Sequence, residues 1–377
     1  MIYLHVPFCR SFCTYCDFYS EIACKGKDEA AVARWADDVC REIEARRQEI
    51  EETLDLDTLY IGGGTPSVLP LSVLRRILDL INTRRDGQRA GLAPQEKGAA
   101  SPGIARPQGH RYTEFTIEVN PEDIVERGAE YIRGLLDLGV NRISMGVQSL
   151  DDGILKWMNR RHSADGARTA FSIISGQGSP QQTHATLGTI RGGTMSKANG
   201  GVDISVDLIT GVPGMTMEIL ERTVEEVIGW RPEHISAYQL SIEEGSALAR
   251  MIERGEVKEL DEEACRAQYD YLCRRLAEAG YHHYEISNWA LPGHEAVHNS
   301  AYWTRHPYVG LGPGAHSLIG NRRSWNSQDL SGWTSEGEDL TAEQIHEEEV
   351  MLLARTDKGP IPERDWFIAD EIIPDLL

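Results

Sequence analysis

The sequence predicts an α/β fold: a parallel sheet wound by right-handed crossovers, arranged as an open doubly wound sheet or as an incomplete barrel. Two observations carry this. Six short β-like runs, at 2–6, 58–61, 115–119, 142–147, 204–209 and 235–240, alternate with amphipathic helical patterns. Strand then helix, repeated, pairs strands in parallel and covers the sheet with helices. A third observation is length: 377 residues leave room for one large domain and a smaller one.

Each element follows from its period. Between the first two strands, Val32, Trp35, Val39 and Ile43 recur at helical spacing, as do Leu74, Ile77, Leu78 and Ile81 after the second. Ile132, Leu135, Leu136 and Leu138 repeat the pattern more loosely. Two stretches break it. Residues 84–111 are rich in Gly, Pro, Ala and Arg, and residues 176–201 in Gly, Ser, Gln and Thr. Both read as exposed, mobile insertions between a helix and the next strand. After Leu240 the alternation stops. A helix is expected at 262–279 and another at 347–355, and the chain runs out in an apolar tail at 366–377. Residues 281–317 are dense in His, Gly, Asn and aromatics, which is unusual for plain scaffold.

The composition is 41% apolar and 26% charged, ordinary for a globular protein, with a net charge of −21. So acidic a chain lacks the basic footprint that nucleic acid requires. A small anionic ligand stays compatible, because a cleft can oppose the global field. No apolar run approaches the length of a membrane span, and the opening residues have neither the basic region nor the apolar run of a signal peptide. The expected location is the cytoplasm, where thiols stay reduced. Seven cysteines there do not read as a disulfide framework. Cys24, Cys40, Cys265 and Cys273 are scattered, and Cys40 and Cys273, on helical patterns, are expected to be packed and inert.

The other three are close together. Cys9, Cys13 and Cys16 form a Cx3Cx2C run after the first strand. Thiolates select zinc or iron–sulfur. Structural zinc takes four ligands, usually in two paired sets, and no second pair is present. A four-iron cubane also takes four ligands, so three cysteines leave one iron open to a small chelating molecule.

Further polar residues stand at the C-terminal ends of later strands, where parallel α/β folds place their sites. Gly62-Gly63-Gly64-Thr65-Pro66 follows the second strand. Such a run lets a ligand approach the backbone, though it can also be only a tight loop. Glu118 ends the third strand; its carboxylate suits ribose hydroxyls or an ammonium, or it faces solvent. Gln148 ends the fourth, with Arg160 beyond it. Asp207 lies on the fifth, before Gly211-Val212-Pro213-Gly214.

The run Tyr3-Leu4-His5-Val6-Pro7-Phe8-Cys9 through Cys16-Asp17-Phe18, with these blocks, resembles the radical SAM enzymes related to oxygen-independent coproporphyrinogen III oxidase. The resemblance spans about residues 1–320, apart from the two insertions. It implies an incomplete (β/α)6 TIM-like barrel of the radical SAM type and a small, mostly helical C-terminal domain. It also implies a [4Fe–4S] cluster on Cys9, Cys13 and Cys16, with the amino and carboxylate groups of S-adenosylmethionine (SAM) on the fourth iron. One electron from the reduced cluster then cleaves SAM to methionine and a 5′-deoxyadenosyl radical. By the same match Gly63, Gly64 and Thr65 meet the SAM amine, and Glu118, Gln148, Arg160 and Asp207 contact SAM or a second ligand. Tyr3 and Tyr15 match positions lining the adenine side, whereas Leu240 and His316 align less securely.

Two functions occur within this family: the oxidase, and a heme chaperone (HemW) branch that delivers heme to acceptor proteins. Phe18 stands where the oxidase pattern has a further cysteine, the motif begins at Cys9 where the oxidase carries an extension, and His298-Asn299-Ser300-Ala301-Tyr302-Trp303 matches the HNxxYW motif of the chaperone branch. The expectation is a heme chaperone, with porphyrinogen oxidation the alternative. His298 is the expected axial heme ligand, with Tyr302 and Trp303 covering the porphyrin; His294 and His282 are rivals. The other reading of His298 is a hydrogen-bonded interior histidine among core aromatics. A third possibility is a module in which cluster and SAM only regulate dimerisation or heme transfer.

The expected cofactors are therefore the cluster, SAM and heme. The expected partners are a heme-accepting protein such as a respiratory hemoprotein, an electron donor such as flavodoxin or ferredoxin, a membrane met only peripherally through the acceptor, and a second copy of the chain. The expected organisation is a barrel over 1–245, an extension over 246–320 carrying the histidine motif, and a partial C-terminal domain over 321–377.

Overall fold

The computed structural model describes residues 1–16, 19–22, 29–82, 112–176, 201–243 and 246–377. Expectations about Phe18, Cys24 and nearly all of the two insertions lie outside these residues. All six expected strands form: β1 (Ile2–Val6), β2 (Thr58–Gly63), β3 (Glu114–Val119), β4 (Arg142–Gln148), β5 (Asp203–Thr210) and β6 (His234–Gln239). Each pairs in parallel with the next, from Ile2 opposite Leu59 to Thr210 opposite Gln239.

Three further strands extend the wall. β7 (His282–Glu285) and β8 (Asn288–Ala290) form an antiparallel pair laid on β6, and β9 (Val309–Leu311) runs parallel to β1 on the other side. The order is β9-β1-β2-β3-β4-β5-β6-β8-β7. The outer strands β9 and β7 do not pair with each other, so the wall curves without closing. This decides between the two expected arrangements in favour of the incomplete (β/α)6 barrel.

Helices cover the outside because their apolar stripes match it. α1 (Glu29–Ala45) buries Trp35, Val39 and Ile43 of its expected series, with Val32 half-buried and Cys40 packed beside them, and α2 (Leu71–Asn82) buries all of Leu74, Ile77, Leu78 and Ile81. α3 (Pro121–Asp137), α4 (Ala164–Ser175), α5 (Met217–Trp230) and α6 (Glu262–Glu278) continue the layer. Caps set their starts: Ser163, Thr216 and Asp261 each accept a backbone N–H from the first turn. α7 (Val297–Trp303) lies across the N-terminal end of the barrel, where the backbone N–H groups of Val297 and His298 donate to Glu114 over 2.8 and 3.0 Å.

The C-terminal part holds more than the expected helix. A three-stranded antiparallel sheet, His316–Ile319, Arg322–Asn326 and Ser335–Asp339, precedes it. These strands are short and largely polar, so no period-2 apolar signal marks them. α8 (Ala342–Leu353) begins five residues before its expected start, because Thr341 and Gln344 form a capping box. The tail folds into short helical turns around Ala354, Ile361, Trp366, Ala369 and Ile373. Among the described residues no helix is long and apolar enough to cross a membrane.

Glu42 on α1 ties the added sheet to the barrel. Its carboxylate accepts from Gly312 N–H and Asn326 Nδ2 over 2.8 Å each, from Trp333 Nε1 over 3.0 Å and from Arg46 Nη1 over 3.1 Å. Removing it leaves Gly312 N–H and Trp333 Nε1 without their acceptor. Glu42→Ala is expected to lower unfolding free energy by roughly 2–4 kcal/mol in urea titrations. Glu44→Ala, on the exposed face of the same helix, is expected to change it by about 0.5 kcal/mol or less. Equal effects would remove this role from Glu42.

Candidate active site at the barrel mouth

The strands explain how the site is built. In a barrel wall alternate side chains point inward. Thr116 and Glu118; Arg142, Ser144, Gly146 and Gln148; Ser205, Asp207 and Ile209; and His234, Ser236 and Tyr238 are such series, and all of them line one cavity of about 470 Å³. The cysteine loop following β1 forms its mouth, with Cys9, Cys13 and Cys16 in the lining. None of the described cysteines is disulfide-bonded.

The loop is fixed from two sides. Thr14 N–H donates to Met158 O over 3.1 Å, and its hydroxyl donates to Trp157 O over 2.9 Å. Asn159 Nδ2 donates to Phe12 O over 2.7 Å, and Leu248 N–H to Thr14 O over 3.1 Å. Side chains then link two of the thiols. Cys9 Sγ lies 3.4 Å from Thr65 Oγ1, and Thr65 Oγ1 accepts from Asn120 Nδ2 over 3.2 Å. Asn120 Oδ1 accepts from Arg160 Nη2 over 2.6 Å, and Arg160 Nη1 lies 3.5 Å from Cys13 Sγ. Arg160 also donates to Gly146 O over 2.8 Å. Burial opposes the Arg160 charge, but Tyr15, the Cys13 thiol and Glu122 outweigh it, so the guanidinium is held firmly charged beside the sulfurs. Burial pushes the Cys9 thiol up.

The donor set fits a polynuclear cluster. The three sulfurs do not converge within 4.8 Å of one another, as one ion would require. The spread suits a larger iron–sulfur body, and thiols are its ligands. The glycine turn packs closely on the first strand and the residues after it. A Cβ on Gly64 would stand 2.8 Å from Phe8 O, and Gly63, at φ +110°, would set one 2.6 Å from the His5 ring. Gln148 reaches the lining through strain: its φ is 65°, at the register shift between β4 and β5.

Two carboxylates face each other lower in the lumen. Glu118 accepts from Tyr60 OH over 2.7 Å and from Gly63 N–H over 3.1 Å. Burial, reinforced by Asp207, pushes its carboxyl up to about 7. Asp207 accepts from Ser144 Oγ over 2.7 Å and Ser205 Oγ over 3.3 Å, and burial raises it too. Ser205 Oγ is 2.8 Å from His234 Nδ1, and His234 Nε2 is 2.7 Å from Tyr284 OH. Burial and Arg142 keep that imidazole neutral. The lumen thus offers neutral hydrogen-bonding groups and two acids ready for a cation.

All the expected site residues line this cavity except Tyr3 and His298. Both are corrected. Tyr3 lies behind the lining, its hydroxyl 3.1 Å from His5 Nδ1 and its ring 6.1 Å from Tyr60, so it supports Tyr60 rather than meeting a ligand. His298 is 1% exposed on α7, with Nδ1 2.9 Å from Thr58 Oγ1 and Nε2 3.1 Å from Tyr302 OH. Burial lowers it to about 3. Both nitrogens are engaged at the closed end of the barrel. The motif reaches the cavity through Asn299 instead. Leu240, set aside above, lines the cavity; His316 does not. Tyr60, Asn120, Arg142, His234 and Tyr238 were missed as site residues, although their inward alternation on the strands, or for Asn120 its place at a strand end, could have marked them.

A sequence model of the radical SAM superfamily matches residues 3–227. The heme chaperone HemW of Mycobacterium tuberculosis is 32% identical over 370 residues, covering 95% of this chain and 82% of that protein. HemW of Bacillus subtilis is 29% identical over 374 residues, 95% and 83% of the two chains. Among solved structures, coproporphyrinogen III oxidase (HemN) from Escherichia coli, a radical SAM enzyme, superposes with a TM-score of 0.68 over 100% of this chain and 81% of that one, at 20% identity. That likeness establishes the shared fold.

The Glu118 shift fixes a pH dependence. Its folded value lies above the ordinary one, so the stability it contributes is full at low pH and is lost as pH rises through about 7. Glu118→Gln cannot ionise. In the ligand-free protein it is expected to melt higher than wild type at pH 8, by an amount on the order of 2 kcal/mol, with the gap closing near pH 4.5. A gap independent of pH would remove Glu118 as the titrating group.

Proposed function

We propose, from the premise that the chain belongs to the radical SAM superfamily and within it to the heme chaperone HemW family, that it binds a [4Fe–4S] cluster, SAM and heme, and delivers heme to acceptor proteins. The observation that carries the cluster and SAM half is the gathering of Cys9, Cys13 and Cys16 over a single cavity with Gly63, Gly64, Thr65, Glu118, Gln148, Arg160 and Asp207. The heme half rests on the chaperone relatives, whose alignment runs over most of both chains.

Cys9, Cys13 and Cys16 would hold the cluster, which when bound supplies a low-potential electron to a ligand on its open iron. The protein's own groups do the positioning. Arg160 sets a positive charge beside Cys13 and, through Asn120 and Thr65, fixes the distance to the Cys9 side of the loop. The glycine turn admits the ligand's amine end to the backbone. Glu118 and Asp207 offer acceptors to ribose hydroxyls and to a sulfonium charge, and binding a cation there favours their ionised forms. The closed lower end, plugged by α7, keeps bulk water from entering beneath.

Anaerobic reconstitution is expected to give about four irons per chain, with most of that iron lost in Cys9→Ser, Cys13→Ser and Cys16→Ser. Heme titration of the reconstituted protein is expected to shift the Soret band and saturate near one heme per chain or per dimer. Absence of a shift would contradict the chaperone reading. Reduced protein with SAM and coproporphyrinogen III is expected to produce no decarboxylated porphyrinogen, and clear turnover would move the assignment to the oxidase. No 5′-deoxyadenosine with or without heme would leave SAM a regulatory ligand.

A further inference from the structure

A second group of ligand-type side chains gathers away from the barrel mouth. Cys273 comes from α6, His283 from β7, and Glu363 from the 3-10 turn Glu363–Ile368. One ligand atom from each lies within 4.8 Å of the others. His283 Nδ1 is 2.8 Å from Glu363 Oε1 and 3.9 Å from Cys273 Sγ.

We infer that Cys273, His283 and Glu363 bind a divalent cation of the zinc class, which fastens the C-terminal segment to the barrel edge. The imidazole is set for it. Its Nε2 faces only the Ile286 carbonyl, at 3.4 Å, and a carbonyl can only accept. His283 Nδ1 thus faces both a carboxylate oxygen and a sulfur. A proton on Nδ1 makes the 2.8 Å contact a His–Glu hydrogen bond, and a bound cation would take the place of that proton. A backbone carbonyl on the distal nitrogen is also the usual outer support of a metal-bound histidine. The ring cannot turn away, because it is stacked on Trp289 at 4.1 Å and edge-on to Trp366 at 4.6 Å.

Ligand type and spacing agree. Sulfur, imidazole nitrogen and carboxylate are the zinc donor set, and tetrahedral zinc sets such atoms about 3.3–3.7 Å apart. The 3.9 Å separation is close to that range, and the 2.8 Å His283–Glu363 contact would open by about 0.5 Å to admit the ion. The fourth position opens on a cavity of about 450 Å³ lined by His282, Asp357, Glu363 and Trp366, so it is filled from solvent. The site is separate from the cysteine loop and does not depend on the heme reading.

The test counts two metals in the same cluster-loaded protein. The anaerobically reconstituted chain is equilibrated with buffered Zn²⁺, desalted and assayed for zinc and iron. About one zinc per chain is expected above the irons, lost in Cys273→Ser and His283→Ala with iron unchanged. Glu363 is on the surface, so Glu363→Gln leaves folding intact and is expected to weaken zinc binding tenfold or more. A second reading uses Co²⁺ on the full chain with Cys9, Cys13 and Cys16 replaced by serine. A thiolate-to-cobalt band is expected, and Cys273→Ser should abolish it. Zinc at the same level in wild type and all three variants, or none in wild type, would overturn the site and leave a plain His–Glu pair beside a thiol. Loss of iron without loss of zinc would count against the cluster assignment alone.

Discussion

The arrangement depends on one closed path of polar contacts: Cys9 to Thr65, Thr65 to Asn120, Asn120 to Arg160, Arg160 to Cys13. It ties the loop after β1 to the ends of β2, β3 and the segment after β4. A cysteine loop by itself is a flexible chelator. Here two of its sulfurs are held at a distance set by the barrel wall, and a guanidinium charge is placed beside them. Such pre-organisation is what a cluster with one open iron requires, because the ligand on that iron has to meet the lumen at a fixed height.

The wall below that path is polar inside and apolar outside. Ile2, Leu4, Ile117, Ile143, Val206 and Ile235 are buried against the helices, while Glu118, Ser144, Asp207, Ser236 and Tyr238 face the cavity. Burial raises both acids, and their nearness to each other raises Glu118 further. A cation bound beside them would favour their ionised forms. Opposite the mouth, α7 closes the barrel with His298 bonded to Thr58 and Tyr302. The histidine motif thus serves as a plug whose Asn299 reaches the cavity floor.

The six strands, their parallel order and the cysteine loop were legible in the sequence because each carries a local signal: an apolar run, a following helical period, a fixed cysteine spacing. The strand-end residues were legible because parallel folds put chemistry there. Tyr60, Arg142 and His234 stand earlier on their strands, away from the C-terminal ends, and only the polar–apolar alternation of those strands marks them, and Tyr238, as inward-facing. The three-stranded sheet at 316–339 was missed because it is short and exposed, and its anchor, Glu42, sits far away on α1. The place of His298 at the closed end was not legible, because sequence shows a histidine among aromatics but not which partners its nitrogens meet. Cys273, His283 and Glu363 come from three elements separated by 10 and 80 residues, so no motif could link them.

The central claim is that the three cysteines carry a cluster whose open iron takes SAM from the cavity below. Electron paramagnetic resonance of the reduced, reconstituted chain, recorded without and with SAM, tests it most directly. The account predicts a reduced [4Fe–4S] signal whose g-values and line shape change when SAM is added. A cluster signal that SAM leaves untouched would contradict it.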